Sequence, residues 1–486
     1  MLLLLVTSCE VSKEKTEQTT APEAATDMST TASTTAAPPT ETPIVYNDEE
    51  LYVGYGRENI SPRYSDGTVM ELTMPGHANV KICKAIDADL FASCTAFRDD
   101  EGNIALIYSV DTLNFSYEMA SDIRSKISAA TGVISRRIVL NATHCHTAPT
   151  LGWSNSEPVI NEYRELVVSA MKKAAQTAID DLTLCTALYV GSVDATGLSF
   201  IRRYIIDEEG KLAHESEPDP YMPVARFVRE GKKEVILANW AAHTDTVPSG
   251  KKSFTASGDY YAFFRKQVES DLDAYISIHM AASGDVNPIS KIPGEYQFPG
   301  TVTYGMALGK KLVEQINSLE RVEIKSEILS KAATVTLTVN HSTDVLLERA
   351  REVQTLFYSG NEGFEAKLEE YGFATIHEAN AIVTRASLGE TQNVSVSVIS
   401  IGNIAFGIAP YEMFAHNGKN IKAASEFDLT FVCAYSNGAY GYIASDYAYE
   451  NGEYEVYTCR YVKGSAEKLQ DEIIRMMDEI YEANVQ

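Results

Sequence analysis

The chain is 486 residues long, with 45% apolar and 9% aromatic residues, enough for a substantial buried core, and its formal charge is -26. That charge argues against nucleic acid as a partner and against docking through basic contacts to anionic lipid headgroups. Work on lipid would have to use neutral lipids, micelles or an apolar entrance.

The first nine residues, Met1 to Cys9, form an apolar run too short to span a bilayer, closing on small residues before a cysteine. This resembles the end of a bacterial lipoprotein signal, in which Cys9 carries lipid and begins the mature chain; the alternative is a truncated ordinary signal. Residues 10–44 are Thr, Ala, Glu, Ser and Pro with almost no large apolar side chain, and are predicted to form a disordered tether. The expectation is an extracytoplasmic protein, lipid-anchored through Cys9 to a bacterial cell membrane, with one large domain over 45–486. Seven cysteines, at 9, 83, 94, 145, 185, 433 and 459, include no Cys-x-x-Cys pair; their wide spacing reads as scattered buried thiols.

Beyond the tether, strand and helix signals alternate. Ile104 to Val110 is a compact apolar run, followed by a helical pattern through Ile123 and Ile127 that closes near Gly132. Arg137 to Thr143 reads as a strand, and a helix starts near Val159 with Tyr163, Leu166, Val167, Ala170, Met171 and Ala174 on one face. Val224 to Val228, a turn at Glu230-Gly231, and Glu234 to Trp240 predict a β-hairpin, hence a mixed sheet. Later strands are expected over Ala274 to Ile278, Thr334 to Val339, Val394 to Ile401, Ile404 to Ile408 and Leu429 to Cys433. Helices are expected over Tyr304 to Ile316, Thr343 to Leu356 and Glu412 to Ala424. The fold class is α/β, with mixed sheets covered by helices.

Three segments at predicted strand ends carry the chemistry. In Asn141-Ala-Thr-His144-Cys-His146, alternation along a strand would aim both imidazoles into one cleft, a pattern suited to zinc and also to two hydrogen-bonded structural histidines. Asn239-Trp-Ala-Ala-His243-Thr-Asp245 has the same architecture, an apolar strand delivering a histidine at its C-terminal end, where open α/β sheets place ligands. Met280-Ala-Ala-Ser-Gly284-Asp285-Val286 is small and turn-forming, as expected where backbone approaches a ligand closely.

Together these segments resemble the neutral/alkaline non-lysosomal ceramidase family. Val53-Gly-Tyr-Gly56-Arg57-Glu-Asn-Ile60-Ser-Pro62 is similar to its start, and Ala142-Thr-His144-Cys-His146-Thr-Ala-Pro149 to its A-T-H-x-H-S-G-P signature. Asn239 to His243, Ser257-Gly-Asp259, Gly284-Asp285-Val286, Pro410-Tyr-Glu412, Ser436-Asn437, Tyr442-Ile443 and Tyr454-Glu455 follow in the family's order. The resemblance runs from Val53 to the C-terminus. It implies a zinc-dependent amidohydrolase with one catalytic Zn2+ held by His144, His243, Glu412 and Tyr442. It also implies His146, Arg202 and Tyr454 around the developing oxyanion, and an N-acyl lipid substrate with ceramide leading.

Read without the family, these residues have plainer roles. Glu412 is an acid opening a helix, Tyr442 and Tyr454 belong to a Tyr-rich stretch, and Arg202 beside Arg203 is a solvated charge. The chain also departs from the family's pattern. Asn287-Pro288 replaces its Ser-Pro, which removes a serine nucleophile there and favours water as the attacking group; Ile201-Arg202 replaces Asn-Arg; Thr147-Ala148 replaces Ser-Gly. Over this length, the C-terminal immunoglobulin-like domain of full-length ceramidases is not expected. The alternatives are a two-metal phosphoesterase drawing on Asp111, Asp245, Asp259 and Asp285, and a lipoprotein that binds an apolar ligand without chemistry.

Overall fold

The computed structural model describes residues 46–485, interrupted at 77–80, 153–156, 253, 296–297 and 362. Met1 to Val45 lies outside the described residues, and with it the segments expected to be a signal ending at Cys9 and a tether. Tyr46 to Gln486 is one compact unit.

The core is two stacked sheets between helices. The larger sheet runs in the spatial order Ala274–Met280, Glu234–Trp240, Tyr221–Arg229, Thr183–Asp194, Tyr52–Asn59, Phe91–Arg98, Ile104–Val110, Ile138–Ala142, with Glu320–Val322 also pairing Thr183–Asp194. It is mixed, as the hairpin predicts: Tyr221–Arg229 and Glu234–Trp240 pair antiparallel, whereas Glu234–Trp240 with Ala274–Met280, and Ile104–Val110 with Ile138–Ala142, pair parallel. The second sheet orders Ile328–Thr338, Thr391–Ile401, Ile404–Ile408 and Leu429–Cys433. The facing surfaces meet in an apolar layer that includes Phe97, Ile107, Phe227, Leu237, Ile399, Phe406 and Phe431.

Helices Tyr117–Thr131, Pro158–Asp180, Asp259–Asp271 and Thr301–Gln315 flank the larger sheet; Ala415–Ala424 and Ser465–Val485 flank the smaller. Tyr117–Thr131 starts on a Ser116 side-chain cap and ends at Gly132 in the left-handed conformation, the expected stop. Between the second sheet's first two strands, the helices Leu347–Tyr358, Phe364–Tyr371 and Ile376–Ala386 share a small core of their own. None of the described helices is long and apolar enough to cross a membrane.

The first strand, Tyr52–Asn59, carries no clear strand signal because Gly54 and Gly56 interrupt it. A Cβ at either would strike the backbone of Pro158–Asp180, so the glycines let that helix lie directly on the strand. The expected helix over Glu412 to Ala424 begins three residues later, at Ala415. Glu412 lies instead on a two-residue strand, Glu412–Met413, parallel to Tyr442–Ile443. Six cysteines, Cys83, Cys94, Cys145, Cys185, Cys433 and Cys459, are unpaired and buried, as their spacing suggests.

Candidate metal centre

His144, His146 and His243 converge, with ligand atoms all within 4.8 Å of one another. Their convergence does not come from strand alternation. Ile138–Ala142 ends before His144, which takes a left-handed backbone (φ 53), an uncommon conformation for a side-chain-bearing residue and one that clusters at functional sites. That bend, and a bridge from Cys145 to Thr244, bring the first motif against the second. The ring centroids of His144 lie 4.8 Å from both His146 and His243.

Each ring is oriented by a backbone carbonyl. Nδ1 of His144 meets Leu113 O at 3.1 Å, that of His146 meets Gly76 O at 2.5 Å, and that of His243 meets Ser283 O at 2.8 Å. A carbonyl only accepts, so each Nδ1 carries the hydrogen and each neutral imidazole presents its Nε2 lone pair to the centre. The Nε2 atoms of His144 and His146 stand 3.2 Å apart. Oε2 of Glu412 lies 3.4 Å from Nε2 of His144 and 3.6 Å from that of His243.

Burial pushes the His243 imidazole down to about 4, with the Arg202 cation adding to the shift, and burial holds His146 well below its ordinary value, helped by His144. Neither His243 Nε2 nor Glu412 Oε2 has a hydrogen bond among the described residues. Three lone pairs and a carboxylate oxygen therefore face one another in a buried space, an arrangement that a cation relieves and that suits zinc.

The remaining predicted residues form an adjoining group. Tyr442 sits in register beside Glu412 on the neighbouring short strand, and its hydroxyl accepts from Arg202 at 2.8 Å. Burial raises the Tyr442 phenol well above its ordinary value, so it remains protonated. Tyr454 opens the helix Tyr454–Thr458, its ring 5.6 Å from that of Tyr442. The aromatic-cluster reading of Tyr442 and Tyr454 also holds, since both pack with Phe414, Ala444 and Ala448.

Arg202 and Arg203 are not solvated charges. Arg202 donates from Nε to Glu455 at 2.7 Å and from Nη2 to Gly284 O at 2.9 Å; Arg203, 1% exposed, bonds Glu455 at 3.0 Å and also pairs with Glu215. Arg202, Tyr454 and Glu455 line a cleft of about 580 Å³ with Tyr204, Asn287 and Tyr457. Glu455, which holds Arg202, was not assigned a role from sequence, because a partner 253 positions away leaves no spacing signal. The same is true of the carbonyls of Leu113, Gly76 and Ser283, and of Tyr435, whose ring packs 4.0 Å from that of His144.

The small residues after Met280 serve the protein's own backbone. Gly284 N donates to Met413 O at 2.8 Å, and a Cβ at Gly284 would collide with the Glu412 carbonyl. Gly284→Ala is expected to displace the Glu412 strand at a cost of about 1–3 kcal/mol in denaturant unfolding and to weaken metal binding in a titration. The four aspartates are committed elsewhere. Asp111 pairs with Arg265, Asp245 with Lys252, Asp259 accepts from the backbone of Thr246 and Val247, and Asp285 accepts from Ala415 N, capping the helix that follows Glu412.

This is an α/β protein with a buried histidine–carboxylate cluster that could hold a metal ion. Its fold is that of the neutral ceramidases. The crystal structure of neutral ceramidase from Pseudomonas aeruginosa matches with a TM-score of 0.66 and 17% identity, over 90% of this chain and 75% of that one. A structure described as ceramidase complexed with C2 matches with a TM-score of 0.65 and 16% identity, over 90% of this chain and 76% of that one. No protein-family profile and no curated protein sequence matches the chain.

Proposed function

We propose that the protein is a zinc-dependent hydrolase that cleaves an N-acyl amide bond, with ceramide the leading candidate substrate. The observation that carries this reading is the convergence of three Nε2 lone pairs and the Glu412 carboxylate on one buried point, in a fold shared with solved ceramidases. His144, His243 and Glu412 would hold the ion, with the Tyr442 hydroxyl completing the set. When bound, zinc supplies a Lewis acid and lowers the pKa of water to about 7.

The chain's own residues supply the rest. His146 is the half-buried member of the histidine trio, which supports a role facing the substrate. With Nδ1 committed to Gly76, its Nε2 is suited to accept a proton from the attacking water and, once protonated, to donate. Arg202 and Tyr454 line the adjacent cleft as donors for the developing oxyanion, where each preorganised donor is typically worth roughly 3 kcal/mol of barrier. Arg202 is held in place by Glu455 and Gly284 O, so it costs no reorganisation when the charge develops. The reading includes anchorage outside the cytoplasm through lipid on Cys9, and the charge of -26 directs it to neutral lipid.

The test is zinc content together with fatty-acid release from a panel of N-acyl amides, for the wild type and His243→Ala. About one zinc per chain and hydrolysis in the wild type, both lost in the variant, is the expected result. A wild type that binds no metal and cleaves nothing overturns the reading.

A further inference from the structure

Two asparagines occupy equivalent places. Asn141 is the penultimate residue of Ile138–Ala142, three positions before His144; Asn239 is the penultimate residue of Glu234–Trp240, four positions before His243. Both are fully buried.

Their carboxamides bond backbone groups across strands that no ladder joins, and Asn239 also reinforces a pair that one does. Ile138–Ala142 and Ala274–Met280 are the two ends of the larger sheet and share no strand pairing. Asn141 joins them: Met280 N donates to its Oδ1 at 2.8 Å, and its Nδ2 donates to Met280 O at 3.2 Å. The same Nδ2 reaches Ala434 O at 2.7 Å and Ser436 Oγ at 2.9 Å, in the segment after Leu429–Cys433. Asn239 repeats the device one strand over, its Nδ2 donating to His279 O at 3.1 Å and its Oδ1 accepting from Val432 N at 3.0 Å. Each asparagine thus ties a strand that leads to a histidine both to Ala274–Met280 and to the Leu429–Cys433 strand or the segment that follows it. The first of these leads into the Ser283 carbonyl that orients His243 and into Gly284, which braces Glu412; the second leads into Tyr435, which packs on His144.

We propose that Asn141 and Asn239 are paired positioning residues of the metal centre, matched carboxamide clamps that set where His144 and His243 emerge relative to Glu412. This rests on the metal-centre reading above. The clamps touch neither ligand nor substrate; they fix the strand ends from which the ligands project. A carboxamide offers a donor and an acceptor on one short planar group that does not ionise, which is what bridging a peptide N–H and a C=O requires.

The test is binding of Co2+ to the metal-stripped full chain, read by its visible absorption spectrum and by titration, alongside thermal melting. Asn141→Ala and Asn239→Ala are compared with Ser109→Ala. Ser109, on Ile104–Val110, donates to Ile278 O at 2.5 Å on the same strand Ala274–Met280, but lies on a strand that delivers no histidine. The expected result is a 10- to 100-fold loss of Co2+ affinity and an altered spectrum for each asparagine variant. Ser109→Ala should melt lower yet bind Co2+ as the wild type does. Asparagine variants with wild-type affinity and spectrum, whatever their melting temperatures, overturn the clamp proposal while leaving the metal centre standing. If Asn141→Ala does not fold, Asn239→Ala, which loses two bonds, decides the matter. A wild type that shows no Co2+ spectrum overturns the metal-centre reading and the clamp proposal with it.

Discussion

Glu412→Ala is expected to leave the protein folded and its centre without tightly held metal. Glu412 is the only carboxylate placed between the rings of His144 and His243 among the described residues, and it sits on a two-residue strand whose backbone bonds do not depend on its side chain. Without it, neutral imidazoles remain and no anion balances a divalent ion. The affinity loss should exceed the roughly 10- to 100-fold typical of changing an outer partner. Hydrolysis of N-acyl amides should fall to background with it. Metal analysis after dialysis, with circular dichroism as the check on folding, measures this directly. His279→Leu is the control: that histidine is equally buried, and burial pushes its imidazole down to about 3, but no carboxylate faces it. It should keep its zinc.

Glu455→Ala is expected to give the largest loss of stability. The carboxylate is 3% exposed and is shared by two guanidinium groups, Arg202 through Nε and Arg203 through one terminal nitrogen. Its removal leaves Arg203, with Glu215 as its close remaining partner, carrying a partly uncompensated charge inside the protein. Breaking a buried pair in this way typically costs about 3–5 kcal/mol, readable as a lowered midpoint in urea unfolding. Arg202 loses its anchor in the same step, so kcat should fall more than KM rises. Glu455→Gln keeps an acceptor and should recover part of both.

The sequence made the two histidine motifs legible because each is local: an apolar strand, then a histidine within a few residues of its end. It also made most strands and helices legible, since their periodicity is local too. The reason His144 and His146 share a cleft was not legible, because it lies in the left-handed backbone at His144 rather than in strand alternation. Glu412 and Tyr442 were reachable only through family resemblance, and the helix expected at Glu412 was displaced because Pro410 and the pairing with Tyr442 hold the chain extended there. The Arg202–Glu455–Arg203 network was invisible for a simpler reason. Two adjacent arginines carry no mark of burial, and the acid that neutralises them lies some 250 positions away.

The buried thiols add a clock to the molecule. Cys145 lies between His144 and His146, is fully buried, and donates from Sγ to Ser257 O at 2.9 Å; burial raises its thiol well above the ordinary value. A thiol reagent can reach it only when the segment carrying both histidines lifts away, so the rate of its modification times the opening of that segment. An ion that bridges His144 to His243 and Glu412 would slow that opening, and occupancy of the centre could then be followed from a sulfur atom that never touches it.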